Sequence, residues 1–491
     1  MALDKKSFLY QLSIIPPYVL SVYFDIYDLI ILKRTNRFFH GGKLCKVASP
    51  IIYLARGNDY SRLHTLFPKA RLVINGQQNR MMFDEFAIIS ENVTSIDLST
   101  CSYGLILLAT YLPAMENLTS LTLRGRNDVE TKMLDSMTKL VELDLSDNKK
   151  ITGPTLQKLT SLKKLNLDHN SMITDYVIES LPLTSLSLIG NKTITPFILT
   201  KLKLTHLHIW CWGDPKLKGA IIQCTTVTDL HIHMNDLIAC GVETIIKMTQ
   251  LRKLAIADPY FPKGDYGKYL TNLTQLTLEW VQKKITIPTL PSLRTLIIKR
   301  LSSHLPDFGA DTFPNLSHLE IDSADNIPCS FNFDFIRNLT HLNIGARCIL
   351  RDVTKLKKIQ KLKLRSGIYD SVIDISQLVS LTSLEISDDH FFEQNRFFAG
   401  SESLESLTIN VNTPTINSTT LEAFPNLKYL CLRSKSMMSC SKTRCCFQNL
   451  HKLYMLKIER CHNLDERCIA LLEKRGVLIR YFTYPDVVNF T

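Results

Sequence analysis

No stretch of the 491-residue chain approaches about 18 uninterrupted apolar residues, so a membrane-spanning helix is excluded. Glycine and proline, 18 and 19 residues, are too few for a collagenous or low-complexity chain. There is no Gly-rich phosphate loop, no nucleophile elbow, no HExxH and no C-x2-C pair. The 13 cysteines are odd in number and scattered, which argues against a disulfide framework and points to a reducing compartment. The opening segment MALDKKSFLYQLSIIPPYVL carries Lys5 and Lys6, but Pro16 and Pro17 break its apolar run. No small-residue cleavage site follows, so it does not read as a signal peptide, and the expected location is the cytoplasm or nucleus. The net charge of +12 is dispersed and lacks interleaved aromatics in its densest stretch, so nucleic acid is not the expected partner.

What is present is a repeat. The pattern LxxLxL occurs as LTSLTL from Leu118, LVELDL from Leu140, LKKLNL from Leu162 and LTSLSL from Leu183. It continues through LTHLHI from Leu204 to LYMLKI from Leu453, and VTSIDL from Val93 precedes them all. Seventeen clear copies recur every 22 to 23 residues or so. Less clear copies lie at Leu72 with Ile74 and at Ile479 with Tyr481. The apolar alternation at positions 4 and 6 predicts a short strand with one buried face. The apolar residues that follow, such as Ile151, Leu156 and Leu159, suit a short helix or 3₁₀ turn on the other side. No single repeat can bury its own apolar face, so neighbours must stack.

This pattern resembles the leucine-rich repeat family over most of the chain. The resemblance implies an α/β solenoid, a horseshoe lined by a concave parallel sheet, of about 17–19 repeats over residues 56–491. It also implies that Asn148, Asn170, Asn191 and Asn235 bond to main-chain groups where the chain leaves each strand. The Cys461-His462-Asn463-Leu464-Asp465 segment, with NKKIT and SMITD earlier, resembles the cysteine-containing repeat common in F-box proteins, although most copies lack the cysteine. Residues 1–55 carry Leu12 to Leu20 with Pro16 and Pro17, then Tyr23-Phe24, Asp28-Leu29-Ile30 and Asn36-Arg37-Phe38. This segment resembles a small helical F-box. It departs at Tyr18, where an acidic residue is usual, and in a shortened stretch between Phe24 and Asp28. The alternative is an amphipathic cap closing the first repeat.

Side chains at repeat positions 3, 5 and 7 alternate away from the core and map the solvent face. The early columns are acidic and polar, with Asp97, Glu142, Asp144 and Asp168. The middle columns carry His206, His208 and Trp210 beside Asp229, His231 and His233. Three readings of this patch stand: a partner-binding hot spot, a metal site of imidazoles and a carboxylate, or plain surface. A later repeat presents Lys361, Lys363 and Arg365, expected to be a solvated basic face. The cluster Cys440, Cys445, Cys446, Cys461 and Cys468 lacks paired metal-ligand spacing and is expected to be core thiols. The sequons at Asn92, Asn117, Asn272, Asn338 and Asn417 are expected by-products of the repeat rather than glycosylation sites.

The expectation is a binding protein that is not an enzyme and needs no cofactor or metal. The F-box resemblance implies a substrate receptor of a cullin–RING ubiquitin ligase. Ile15, Pro16, Leu20, Tyr23, Phe24, Leu29 and Leu32 would then dock a Skp-type linker, and the repeats would hold a target protein. A stand-alone scaffold or inhibitor that masks a partner is the alternative, and an enzyme centred on the histidine patch is the third.

Overall fold

The computed structural model describes residues 51–54, 65, 67–75, 90–99, 110–210, 216–233, 236, 242–259, 267–281, 285–301, 312–323, 329–330, 336–345, 348–349, 353–365, 375–387, 400–411, 421–434, 445–459 and 466–482. Two compact units are present. One comprises residues 1–204, 208–211 and 485–491, the other 205–207 and 212–484. The F-box-like positions Ile15 to Leu32 lie outside the described residues, as do Asn235, Asn417, Cys440 and Cys461.

Among the described residues of the first unit, seven short strands run parallel in chain order. They are β1 (Ile51–Leu54), β2 (Arg71–Asn75), β3 (Val93–Asp97), β4 (Ser120–Thr122), β5 (Glu142–Asp144), β6 (Lys164–Asn166) and β7 (Ser185–Ile189). Strand β1 falls within residues 1–55, so the repeat pairing begins earlier than the boundary expected from sequence. The register places Leu121, Leu143, Leu165 and Leu186 in one row, and each is at most 3% exposed. Burying each such leucine contributes roughly 1.5–3 kcal/mol. On the return side, Gly153–Leu156 and Asp175–Glu179 form short α-helices and Pro196–Thr200 a 3₁₀ turn. Ile151, Leu156 and Leu159 are fully buried beneath them, as their spacing predicts.

Strand β8 (His206–Trp210) contributes residues to both units. The second unit continues the one-strand-per-repeat pattern. Its strands are β9 (Asp229–His233), β10 (Lys253–Ala257), β11 (Gln275–Glu279), β12 (Thr295–Leu301), β13 (His318–Ser323), β15 (His341–Ile344) and β17 (Lys361–Arg365). After them come β18 (Ser383–Ser387), β19 (Ser406–Val411), β20 (Tyr429–Ser434), β21 (Met455–Glu459) and β22 (Leu478–Phe482). Each pairs in parallel with the next. Two-residue strands β14 (Cys329–Ser330) and β16 (Cys348–Ile349) pair separately.

Side-chain amides bind one repeat to the next. Asn148, Asn170 and Asn191 are at most 5% exposed. Asn170 Nδ2 donates to the carbonyls of Leu145 and Asn148, at 3.0 and 2.9 Å, and its Oδ1 accepts from the Met172 and Ile173 amides. Asn191 repeats this toward Leu167 and Asn170. The main-chain role implied by the family resemblance is thus observed. A second row lies at the strand entrances. Asn117 Nδ2 donates to Glu91 O, Asn272 Nδ2 to Thr249 O and Asn338 Nδ2 to Pro314 O, at 2.8, 2.9 and 3.2 Å. These are sequon asparagines, and each spends its amide nitrogen on the preceding repeat.

The residue two beyond the second strand leucine turns left-handed. Gly125, Asp147, His169, Gly190, Asp258, Trp280 and Arg300 all have φ between +51° and +66°. Six of them donate the main-chain N–H to the next repeat, as Asp147 does to Asp168 O and Trp280 to Lys299 O. A left-handed tryptophan or arginine is uncommon, because Cβ crowds the carbonyl there.

Candidate functional site

The acidic side chains of the first unit serve its strands. Asp97 Oδ1 accepts from the Ser99 amide and hydroxyl, and Asp144 Oδ1 does the same for Ser146. Asp168 accepts from Ser187 Oγ and the Ile189 amide, both at 2.7 Å. Burial raises the Asp168 pKa against those bonds. Glu142 is bridged by Lys164. Carboxylates satisfied in this way are poor candidates for acid–base chemistry.

The histidine patch is divided. His208 and Trp210 belong to the first unit and are both half-buried. His206, Asp229, His231 and His233 belong to the second. His206 Nε2 lies 3.8 Å from an Asp229 oxygen, as the sequence columns predict, and Lys253 Nζ reaches the same oxygen at 3.8 Å. His231 instead reaches across the alanine strand β10 to Glu279, at 3.5 Å. In the register His231 lies opposite Ala255 and Glu279 opposite Ala257, so the contact runs diagonally past the two small side chains of β10. His233 was expected on the surface but is 9% exposed. Burial lowers its pKa, opposed by Asp236 and Asp258. Among the described residues, no three His, Cys, Asp or Glu side chains are grouped to hold a metal ion.

The basic repeat sits on a better-formed feature. Lys361 and Arg365 of β17 are exposed, while Lys363 is half-buried and bridges Glu385 of β18 at 2.5 Å. Beside them a recess of about 270 Å³ opens on the solvent face of β12, β13, β15, β17 and β18. One column of its lining reads Thr295, His318, His341, Lys361 and Ser383, in strict register. The His318 and His341 rings stack with centroids 3.8 Å apart and planes 13° apart. The sequence reading passed over this pair. The signal was there: Ser-His-Leu and Thr-His-Leu occupy the same positions in consecutive copies, one before Lys361.

Each ring is held by the hydroxyl that precedes it. Thr340 Oγ1 lies 2.9 Å from His341 Nδ1, and Ser317 Oγ lies 3.3 Å from His318 Nδ1. Both hydroxyls also lie within hydrogen-bond reach of main-chain carbonyls, Thr340 of Ser317 O at 3.0 Å and Ser317 of Arg294 O at 3.2 Å. The Nε2 atoms take no part in these contacts. Burial lowers both histidine pKa values; Lys361 adds to this for each, and His318 does so for His341. Asn343 Oδ1, on the floor of the recess, is buried without a hydrogen-bond partner.

A second exposed feature was also missed. Trp280 is 44% exposed, and the Arg300 guanidinium lies over its ring at 4.3 Å. The cysteine expectation needs correction. Cys445 and Cys468 are joined by a disulfide across one repeat, with Cα atoms 5.5 Å apart. Packing of successive repeats puts residues 23 apart side by side, a proximity that spacing motifs do not encode. Cys224 and Cys431 are buried thiols, and burial pushes the Cys224 pKa up to about 11. Among the described residues, no helix is long and apolar enough to cross a membrane.

No protein-family pattern and no curated protein sequence matches the chain. Solved structures of repeat proteins do. A leucine-rich repeat protein of Leptospira interrogans is 17% identical, with 83% of this chain and 94% of that chain covered and a TM-score of 0.35. An internalin of Listeria monocytogenes is 18% identical over 77% of this chain and 89% of its own, with a TM-score of 0.27. The Toll–Spatzle complex of Drosophila is 15% identical over 88% of this chain and 61% of that one, with a TM-score of 0.40. At such values no partner carries over from these proteins to this chain.

Proposed function

We propose that the chain is a protein-binding repeat scaffold that holds a target on the solvent face of its strands. The recess beside Lys361 carries this reading: a pre-formed hollow of about 270 Å³ lined by side chains from five consecutive strands. Binding sites are commonly concave and largely pre-formed, with a few placed polar groups. The exposed Trp280–Arg300 stack supports it, because tryptophan and arginine are enriched at interface hot spots.

The finer reading is that of a substrate receptor for a cullin–RING ubiquitin ligase. Its support is the sequence pattern from Leu12 to Phe39, with Leu20, Tyr23, Phe24, Leu29 and Leu32 as the apolar set that would dock a Skp-type linker. Such a receptor makes no bond itself; it raises the effective concentration of target lysines near the transfer enzyme. Titration of the full-length chain with a Skp-type linker tests it. Saturable binding that Phe24→Ala weakens supports the receptor, and no binding leaves the stand-alone scaffold.

A further inference from the structure

We propose that the recess formed by His318, His341 and Lys361 takes the carboxylate of an acidic segment of a partner protein. The column that lines it presents three nitrogen side chains in register, with Thr295 and Ser383 at its ends and no acid within it. Lys361 is exposed, and no carboxylate among the described residues pairs with it.

The recess is lined by two lysines and two carboxylates, and Lys361 is the cation that acts on both rings. Of the groups facing the recess, β12 supplies none that is charged, β15 supplies Asn343, and β17 and β18 supply the Lys363–Glu385 bridge, which is internally neutral. Glu320 of β13 is the remaining acid of the recess, and protonation of the two rings is opposed by burial and by Lys361. An arriving carboxylate would accept from the Lys361 ammonium. It would also favour a proton on the stacked imidazoles, and a protonated imidazole donates from both ring nitrogens. Binding should therefore take up a proton and tighten as pH falls toward the histidine range.

This inference rests on the solvent face being a binding surface. The linker titration reports on residues 12–39 alone, so failure of one experiment leaves the other interpretable. The test is fluorescence anisotropy of the full-length chain with a labelled alternating Ala-Glu octapeptide, its Ala-Gln counterpart, and inorganic phosphate as competitor. The Glu peptide should bind more tightly at pH 6 than at pH 8, and the Gln peptide should not bind. Lys361→Met and His341→Phe should each weaken the Glu peptide by about tenfold or more. Lys428→Met, a basic position outside the recess, should change it little. His341→Gln serves if the Phe variant does not fold. Unchanged affinity in the recess variants, or equal loss in Lys428→Met, would overturn the proposal. Displacement by phosphate at the peptide's own affinity would also overturn it, by making the site a phosphate site.

Discussion

The Asn170 side-chain amide donates to the main-chain carbonyl of Asn148 from 2.9 Å, and Asn148 holds the corresponding place one repeat earlier. Each asparagine thus satisfies a buried carbonyl of its predecessor and, through Oδ1, two amides of its own turn. Asn170→Ala removes the bonds to the Met172 and Ile173 amides and to the Asn148 carbonyl, while Leu145 O keeps the Asn148 amide. A loss of about 1–3 kcal/mol is expected. Urea unfolding of the full chain, with hydrogen exchange at residues 145–173, measures it.

Leu165 lies between Leu143 and Leu186 in the strand register and is 2% exposed. Leu165→Ala should cost about 2–5 kcal/mol, because close neighbours cannot collapse into the space it leaves. A thermal midpoint equal to that of the parent chain would contradict the register.

Gly125 and Gly190 share the left-handed position, with φ of +66° and +61°, but not the surroundings. A Cβ on Gly125 meets nothing within 4 Å, so Gly125→Ala should cost only the backbone preference, about 1–2 kcal/mol. A Cβ on Gly190 would stand 2.3 Å from the His169 ring, so Gly190→Ala should cost more. Chemical denaturation of the pair checks the order, and equal losses would show that the His169 ring moves aside freely.

His233, His318 and His341 all have pKa values below the ordinary value of 6.5. The folded chain then binds fewer protons than the unfolded chain between the lowered values and about 6.5. Their contribution to stability is complete above about pH 6.5 and is lost as pH falls from there through the lowered values. Denaturation midpoints should fall between pH 7 and pH 5, and the slope should flatten in a His318→Gln, His341→Gln double variant. A slope unchanged in that variant would place the proton uptake elsewhere.

The repeat was legible from the amino acids alone, because stacking demands the same buried leucines at the same interval in every copy. The strand positions and the row through Leu143, Leu165 and Leu186 followed from that interval, and the asparagine bonds from the family resemblance. The columns also placed His206 beside Asp229, since adjacent parallel strands set equivalent residues side by side. Tertiary structure decided what depends on distances across several strands and on depth. His231 reaches diagonally across β10 to Glu279, and His233 sinks below the surface. Cys445 meets Cys468 because one turn of the repeat separates them. The stacked pair His318 and His341 was visible as a column, but its significance was not. Spacing alone does not show that the two rings stack 3.8 Å apart in a recess that also holds Lys361.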